Sequence, residues 1–379
     1  MMRYLSELYA MVRVRWQIHR LALNLYSGKC NGVNSAESDL CFCYDVLQDV
    51  SRSFALVIMQ LCSELRDAVC VFYLILRALD TIEDDMNLSV EFKLAELPQF
   101  HMHLQDPEWN MCNAGTGRER DLLIQFPHVS AAFSRLGKPY QDVISDICER
   151  MAKGMCEFLT KKVVTRADYD LYCHYVAGLV GHGLTRLYVL SGLEDPQLGK
   201  DLALANHMGL MLQKTNIVRD FHEDMNESPP RVFWPQEIWG KYTSDLDAFK
   251  NIECDARDDN SDDGRGSKEQ ALGCLNAMVA DALVHLPPVV EYLASLHNPS
   301  TFAFSAIPQV MAIATLAIVL NNADVFRRKV KLTRGTTCLI IHQSTELLSA
   351  LALMKTQAQL LLNRADPNDA SHEKISLLV

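Results

Sequence analysis

The stretch of sequence that decides the fold is Tyr73-Leu-Ile-Leu-Arg-Ala-Leu-Asp-Thr-Ile-Glu-Asp-Asp85. It continues an apolar run that begins at Val69, and its apolar residues recur at spacings of three and four, which is typical of a buried helix. One polar stripe, spaced four, three and four residues apart, follows the same helix: Tyr73, Arg77, Asp80 and Asp84. The pattern therefore predicts a core helix that carries a polar, functional face.

A second stretch, Gln213-Lys-Thr-Asn-Ile-Val-Arg-Asp-Phe-His-Glu-Asp224, has the same character. The polar side chains predicted to share one face of this helix are Gln213, Asn216, Asp220, Glu223 and Asp224. Each acidic motif follows an apolar segment, so we expect both to lie at the C-terminal end of a helix. Carboxylates oppose the helix dipole there, and a function would explain why the cost in stability is tolerated.

Paired carboxylates at positions i and i+4 gather oxygen atoms and repel one another, and a hard divalent cation relieves that repulsion. Mg²⁺ takes one or two carboxylates, keeps water ligands and accepts phosphate oxygens. Two such helices facing each other would hold several Mg²⁺ ions around a diphosphate and assist its departure. The predicted metal ligands are Asp80, Glu83, Asp84, Asp220, Glu223 and Asp224. The alternative is that both acidic faces are merely solvated, although two similar copies argue against it.

Composition narrows the class of protein. The 379 residues are 49% hydrophobic and 22% charged, which suits a large folded core, and helical spacing throughout predicts an all-α protein with one large domain. The net charge of −11 excludes a global basic field for nucleic acid. The 12 cysteines form no CxxC pair, so we expect buried free thiols and no zinc site. The longest purely apolar run, 311–320, is too short to cross a membrane, and the chain as given is expected to be soluble.

Composition also predicts four segments. Residues 1–37 are interpreted as an N-terminal helical extension and residues 38–364 as one large helical domain. Within that domain, residues 254–268 are acidic and contain glycine, which predicts a mobile surface insertion. Residues 365–379 are polar, and we expect a frayed tail.

Taken together, the motifs resemble the squalene synthase family of eukaryotes, within the trans-isoprenyl diphosphate synthases. The two acidic motifs carry the resemblance, together with Ser51-Arg-Ser-Phe54, Tyr172-Cys-His-Tyr-Val-Ala-Gly-Leu-Val-Gly181, Phe233-Trp-Pro-Gln-Glu-Ile-Trp239 and Ala306-Ile-Pro-Gln-Val-Met-Ala-Ile-Ala-Thr-Leu316. It extends from about residue 38 to residue 334.

The resemblance implies the all-α isoprenoid-synthase fold, with helices around a central cavity, and a reaction in two halves. Two farnesyl diphosphate molecules condense head to head to presqualene diphosphate, which then rearranges and is reduced by NADPH to squalene. Mg²⁺ and NADPH are the implied cofactors. A monomer is expected, with no nucleic-acid partner.

The resemblance also assigns roles by position. Tyr172 matches a tyrosine near the first carbocation, and Phe304 matches an aromatic that shields a later one. Arg77, Asp80, Asp84, Asp220 and Asp224 are implied to be catalytic. The implied substrate-binding residues are Ser51, Arg52, Ser53, Phe54, Tyr73, Arg77, Val176, Gln213 and Asn216. The implied NADPH-binding residues are Asn216, Asn322, Lys331 and Arg334, the last two within the basic run 327–334.

Some points depart from the family pattern or stay open. Family members usually carry a C-terminal helix in the endoplasmic reticulum membrane, with the enzyme on its cytosolic face, and this sequence ends at Val379 without one, so we expect a longer natural protein. Phe221-His222 fills the middle of the second motif, where the family often has an aromatic and an aliphatic residue. A phytoene or dehydrosqualene synthase would share both acidic motifs without requiring NADPH, and a non-catalytic helical scaffold would bind no diphosphate.

Overall fold

A computed structural model describes residues 6–7, 10–11, 13–14, 35–51, 53–252 and 268–379. Helices and turns account for the regular structure of these ranges, and no β-strand occurs within them. The all-α prediction is therefore confirmed. Arg52, most of the N-terminal extension and nearly all of the acidic insertion lie outside the described residues, so the predictions about them stay predictions.

The helices divide between two compact units that interleave along the sequence. The first unit contains the described residues up to Thr160, then Leu179–Leu202 and Ser295–Ser305. Its complete helices are α1 (Ser35–Ser51), α2 (Ser53–Ile58), α3 (Ser63–Asp84), α4 (Val90–Glu96), α5 (Phe100–His103), α6 (Gly117–Ile124), α7 (Phe126–Ser134), α8 (Lys138–Phe158) and, after α9 of the other unit, α10 (Leu179–Leu190).

The second unit contains Lys161–Gly178, Ala203–Ala294 and Ala306–Val379. Its helices are α9 (Arg166–Cys173), α11 (Ala203–Arg219), α12 (Phe221–Met225), α13 (Gln236–Trp239), α14 (Lys268–Leu283), α15 (Leu286–Ala294), most of α16 (Pro299–Val319), α17 (Arg334–Gln343), α18 (Leu347–Leu362) and α19 (His372–Leu378). A π-helical turn, His174–Gly178, follows α9, and a 3₁₀ turn, Ala323–Phe326, follows α16.

In the first unit, α3 is the central helix because its apolar side chains pack on several sides. Phe72, Leu74, Ile75, Ala78 and Leu79 are all at most 1% exposed. The helix packs against α8 and α10, and Gly183 of α10 lets the Phe72 ring approach. A Cβ atom at Gly183 would lie 2.7 Å from Phe72 Cζ, so this position requires glycine.

In the second unit, α11 packs against α14, α15 and the π-helical turn. Gly209 permits that last contact, because a Cβ atom there would lie 2.2 Å from the carbonyl oxygen of Ala177. The amide of Asn206 also contacts His174 of the turn, with 2.7 Å between Asn206 Oδ1 and His174 Nδ1. A π-helical turn changes the direction in which neighbouring side chains point, and such turns are frequent at functional sites.

The structure corrects two expectations about segment ends. The tail is not frayed: it forms α19, where Ile375 is 1% exposed, and Asp369 accepts a 2.9 Å hydrogen bond from Asn276 of α14. One buried apolar residue and this hydrogen bond are thus enough to dock the short tail segment. A proline is also generally expected to end or kink a helix, but Pro308 lies inside α16. Packing around this buried helix outweighs the loss of one backbone hydrogen bond.

Two helical stretches, Lys268–Ala294 and Pro299–Val319, are long and apolar enough to cross a membrane. Within the protein, 67% and 89% of their apolar windows are buried. Their composition is thus also that of ordinary core helices. The ten described cysteines are free, as expected, but only five of them are buried: Cys43, Cys70, Cys148, Cys173 and Cys274.

Candidate active site

The first acidic motif lies at the C-terminal end of α3, as predicted. Asp80 and Glu83 are half-buried and Asp84 is exposed. Asp85 has a structural role, because its carboxylate accepts hydrogen bonds from the backbone N–H of Asn87 (2.8 Å) and of Gly115 (2.7 Å). Burial opposes ionisation of Asp85, but these hydrogen bonds outweigh it and lower the pKa.

The expected electrostatic cost at this helix end is offset by a lysine that the sequence analysis missed. Lys93 is buried, and its ammonium donates a 2.5 Å hydrogen bond to the carbonyl oxygen of Glu83 in the last turn of α3. A cation at the C-terminal end of a helix stabilises both the dipole and the nearby carboxylates. An isolated lysine in the amphipathic sequence of α4 gave no signal of this contact.

Arg77 occupies the middle of the predicted stripe. Its Nη2 donates a 3.0 Å hydrogen bond to the Tyr73 hydroxyl, and the Phe54 ring stacks on Tyr73 with 6.2 Å between centroids. Burial disfavours the charged guanidinium, but Asp80 and Tyr73 outweigh this and raise the pKa of Arg77. The Nε atom of Arg77 is buried and has no hydrogen-bond partner among the described residues. A guanidinium with a spare, desolvated N–H is suited to a phosphate oxygen.

The structure says less about the other residues near this stripe that were assigned to substrate binding. The Ser51 hydroxyl donates a 2.5 Å hydrogen bond to the carbonyl oxygen of Leu47 in its own helix. The side chain of Ser53 and all of Arg52 lie outside the described residues. The structure thus brings Phe54, Tyr73 and Arg77 together, while the grip assigned to Ser51-Arg-Ser53 stays a prediction.

Phe304 is held in a buried setting within the first unit. It is 4% exposed and meets the Tyr188 ring edge-on, with 6.4 Å between centroids. The carboxylate of Glu194, which is buried, accepts hydrogen bonds from the backbone N–H of His297 (2.8 Å) and Asn298 (3.0 Å), just before α16 begins. This cap fixes the N-terminal end of α16 and, with it, the position of Phe304.

Tyr172 lies near the end of α9, directly before the π-helical turn. It is 7% exposed, and its ring stacks on Phe233 with 5.0 Å between centroids. The Arg231 guanidinium covers Phe233, 5.0 Å from the ring centroid. Val176 is half-buried within the turn. The side chain of Tyr172 therefore has a fixed position in the second unit.

The second acidic motif differs from its predicted geometry. The sequence predicts one continuous helix face, but α11 ends at Arg219 and Asp220 separates it from α12. Glu223 and Asp224 consequently lie in the first turn of α12, where the helix dipole favours a carboxylate. The expected dipole penalty is thus wrong for these two residues. Gln213 is half-buried and Asn216 is exposed on α11.

Two cations that the sequence analysis did not assign contact this motif. Arg219 donates two parallel hydrogen bonds to the Asp220 carboxylate, of 2.7 Å from Nε and 2.5 Å from Nη2. Lys329 forms an ion pair with Glu223 and lies 4.0 Å from Asp220 Oδ1. The adjacency of Arg219 and Asp220 was a usable signal, but nothing local in the sequence connects Lys329 to residues about a hundred positions earlier.

The residues assigned to NADPH binding differ in how far their side chains are engaged within the protein. Both ends of the Asn322 amide are engaged, since Oδ1 accepts from the N–H of Asp324 (3.1 Å) and Nδ2 donates to the carbonyl oxygen of Ile318 (2.9 Å). Lys331 and Arg334 are exposed, and Arg334 begins α17. Their role toward a cofactor stays a prediction.

Both motifs offer the oxygen donors that Mg²⁺ prefers. Among the described residues, no three His, Cys, Asp or Glu side chains are gathered closely enough to form a preformed metal site. Mg²⁺ does not require such a cage, because it usually takes one or two carboxylates and completes its shell with water and substrate phosphate. The donor chemistry therefore fits Mg²⁺. The cations paired with the second motif reduce the repulsion among its carboxylates, which is also what a bound metal ion would do.

The comparisons agree with these features. The family model for squalene/phytoene synthase matches residues 47–336. Squalene synthase of Rattus norvegicus is 46% identical over 91% of this chain and 79% of its own length. Squalene synthase 1 of Panax ginseng is 48% identical over 89% of this chain and 78% of its own length.

This chain is also similar to solved structures. The complex of TcSQS with the ligand E5700 is 64% identical, with a TM-score of 0.86 over 91% of this chain and 96% of that chain. A dehydrosqualene synthase in complex with a ligand has the same fold at 19% identity, with a TM-score of 0.57 over 85% of this chain and 98% of that chain. This chain belongs to the squalene/phytoene synthase family and, within it, to the squalene synthases.

Proposed function

We propose that this squalene synthase is dependent on Mg²⁺ and NADPH and uses its two acidic motifs to bind the diphosphate groups of its substrates. Bound Mg²⁺ would supply Lewis-acid stabilisation of the departing diphosphate. The ligands would come from Asp80, Glu83 and Asp84 in the first unit and from Asp220, Glu223 and Asp224 in the second. The observation that carries the proposal is the Arg77 guanidinium, which is buried beside Asp80 with a free Nε–H.

Arg77 would act on the substrate as well as on the carboxylates. Its Nη2 is fixed by the Tyr73 hydroxyl, so the guanidinium is held in place before any ligand binds. A prepositioned donor loses little entropy when it donates a hydrogen bond to a phosphate oxygen. We propose that Arg77 orients the diphosphate of a farnesyl group, while Phe54 and Tyr73 provide an aromatic surface beside it.

Tyr172 would take part in the first condensation. The departure of diphosphate leaves an allylic cation, and condensation with the second farnesyl group to presqualene diphosphate releases a proton. The stack on Phe233 fixes the phenol, whose π face can stabilise a cation and whose oxygen can transfer a proton transiently.

NADPH would supply the hydride of the second half-reaction. Water would otherwise quench the cation, so the apolar wall of α16, including Phe302 and Phe304, would exclude it. We propose that Lys331 and Arg334 attract the cofactor's phosphates, because the chain as a whole carries a charge of −11.

One experiment tests the reaction. The protein is incubated with farnesyl diphosphate, with and without Mg²⁺ and NADPH, and the lipids are identified by mass spectrometry. We expect no conversion without Mg²⁺, presqualene diphosphate with Mg²⁺ alone, and squalene when both are present. Squalene made without NADPH, or dehydrosqualene as the main product in the presence of NADPH, would contradict the proposed reduction.

Association of the natural protein with the cytosolic face of the endoplasmic reticulum membrane is proposed from the resemblance to the family. Two apolar helices are compatible with a membrane in length and composition, but both lie largely inside the protein. Fractionation of the full-length natural protein tests this, and recovery in the soluble fraction would contradict it. Gel filtration with light scattering tests the proposed monomer.

A further inference from the structure

Lys329 reaches the second acidic motif because the chain after α16 is fastened to α12. The Phe326 ring packs edge-on against Phe221, with 5.0 Å between centroids. His222 Nδ1 also contacts the carbonyl oxygen of Phe326 at 3.2 Å. These contacts fix the 3₁₀ turn Ala323–Phe326, and Lys329 follows three residues later.

The ammonium of Lys329 lies where it neutralises two of the proposed metal ligands. It forms an ion pair with Glu223 Oε2 and is 4.0 Å from Asp220 Oδ1. Both carboxylates and the lysine are partly exposed, with 45%, 23% and 35% of the respective side chains accessible. The contact is therefore open to exchange with ions from solvent.

We propose that Lys329 is a built-in counter-cation of the second acidic motif, which competes with the metal ion and sets the metal affinity of that motif. This rests on the proposed function, in which Asp220, Glu223 and Asp224 bind Mg²⁺. A metal ion that binds Glu223 Oε2 competes with the ammonium for that oxygen and is repelled by its charge. Asp220 is paired with Arg219 as well, and this pair is kept in every variant compared below. The ammonium also relieves carboxylate repulsion in the metal-free protein.

Another residue of the basic run makes it possible to distinguish this specific role of Lys329 from a general effect of net charge on metal binding. Arg328 is the adjacent residue and carries the same charge, but its guanidinium pairs with Asp324 at 2.5 Å. Substitution of either residue changes the net charge by one. A specific effect of Lys329 must therefore exceed that of Arg328.

The test is a titration of the full chain with Mn²⁺, with free Mn²⁺ measured by electron paramagnetic resonance and no substrate present. Asp80→Asn and Asp84→Asn form the background, so that binding reports on the second motif. The variants compared in this background are Lys329→Met, Lys329→Arg and Arg328→Met, and thermal unfolding confirms that each is folded. Addition of Asp224→Asn shows whether the second motif binds the metal.

We expect Lys329→Met to bind Mn²⁺ roughly two- to fivefold more tightly than the background protein, because a partly exposed ion pair contributes modestly. Lys329→Arg and Arg328→Met should change the affinity by less than about twofold. Binding that becomes measurable only in Lys329→Met would equally support the proposal.

Unchanged or weaker binding in Lys329→Met would overturn the proposal, as would no binding in either protein. An equal effect of Arg328→Met would reduce the role of Lys329 to general charge and would also overturn it. Mn²⁺ binding that survives Asp224→Asn would count against the proposed metal site itself. The experiment thus distinguishes failure of the proposed role of Lys329 from failure of the proposed metal site.

Discussion

Lys214 on α11 and Asp281 on α14 form a buried ion pair, with 2.7 Å between Nζ and Oδ2 and with side chains only 3% and 7% exposed. Asp170 on α9 is a second partner, 2.5 Å from the same ammonium. The ammonium also lies 5.0 Å from the centroid of the Tyr169 ring. Lys214 therefore joins the helix that carries Tyr172 to the helix that leads to Asp220.

Replacement of Lys214 by Met should lower the free energy of unfolding by up to about 3–5 kcal/mol, because the buried Asp281 carboxylate loses its nearest cation. The more distant Arg166, with Nε 3.7 Å from Asp281 Oδ1, remains. Urea unfolding followed by circular dichroism measures the change. The double variant Lys214→Met/Asp281→Leu removes both charges and should recover part of the loss. A single variant within about 1 kcal/mol of the parent would show that the pair does not support the fold.

Acid should destabilise the protein through His285. Burial, together with the charges of Lys214, His207 and Lys374, lowers the pKa of His285 to about 2, whereas an unfolded histidine has a pKa of about 6.5. Between these values the unfolded state binds more protons, so stability falls as the pH is lowered. The contribution approaches about 1.4 kcal/mol per pH unit below 6.5.

His285→Asn tests this effect, because its amide can replace the 2.7 Å contact with His207 Nδ1 but does not titrate. Unfolding free energies at pH 7, 6 and 5 should decline less steeply in this variant than in the parent. Identical slopes would assign the acid sensitivity to other groups.

Asp80→Asn and Asp224→Asn should each lower kcat by about 10²–10³-fold, since each removes a charged ligand for the proposed metal. Turnover is measured at saturating Mg²⁺. Asp142→Asn is the control, because this exposed aspartate pairs only with Lys138 of its own helix, at 2.9 Å, as far as the described contacts show. Near-normal turnover in both site variants would contradict the metal-binding role.

Tyr172→Phe should impair the first half-reaction more than the second, because it removes the hydroxyl while the stack on Phe233 can persist. Squalene formation from farnesyl diphosphate is compared with formation from presqualene diphosphate. Phe233→Leu is the matched variant, since it keeps the hydroxyl and removes the stack. Normal production of presqualene diphosphate by Tyr172→Phe would exclude a role for the hydroxyl.

Neutralisation of Lys331 and Arg334 together by Gln should raise the apparent KM for NADPH severalfold and leave presqualene diphosphate formation nearly unchanged. The control is Lys138→Gln/Arg150→Gln, which removes two exposed charges from α8. An equal loss of rate in both half-reactions would assign the two residues to binding of the diphosphate substrates or to folding. An unchanged KM for NADPH would show that the two residues do not bind the cofactor.

Local patterns were sufficient to predict α3 and its polar stripe. The side-chain spacing of a helix follows from its geometry, so the sequence places Tyr73, Arg77 and Asp80 on one face before any tertiary contact is known. The same reasoning from helix geometry gave a wrong prediction at Asp220, because α11 ends just before this residue and the helix face is not continuous. Helix ends depend on how the following segment packs, and here Phe221 packs against Trp234 and Phe326, which are distant in sequence.

By itself, the sequence determined the all-α class, the two acidic motifs and, through motif resemblance, the squalene synthase family. Tertiary structure alone decided which distant cations lie at those motifs: Lys93 donates to the backbone carbonyl oxygen of Glu83 at the end of α3, and Lys329 pairs with Glu223 of the second motif. Periodicity carries information over a few helical turns, whereas an ion pair between residues 106 positions apart, such as Lys329 and Glu223, depends on how helices pack. Packing follows from the sum of many weak apolar contacts, which no local pattern encodes.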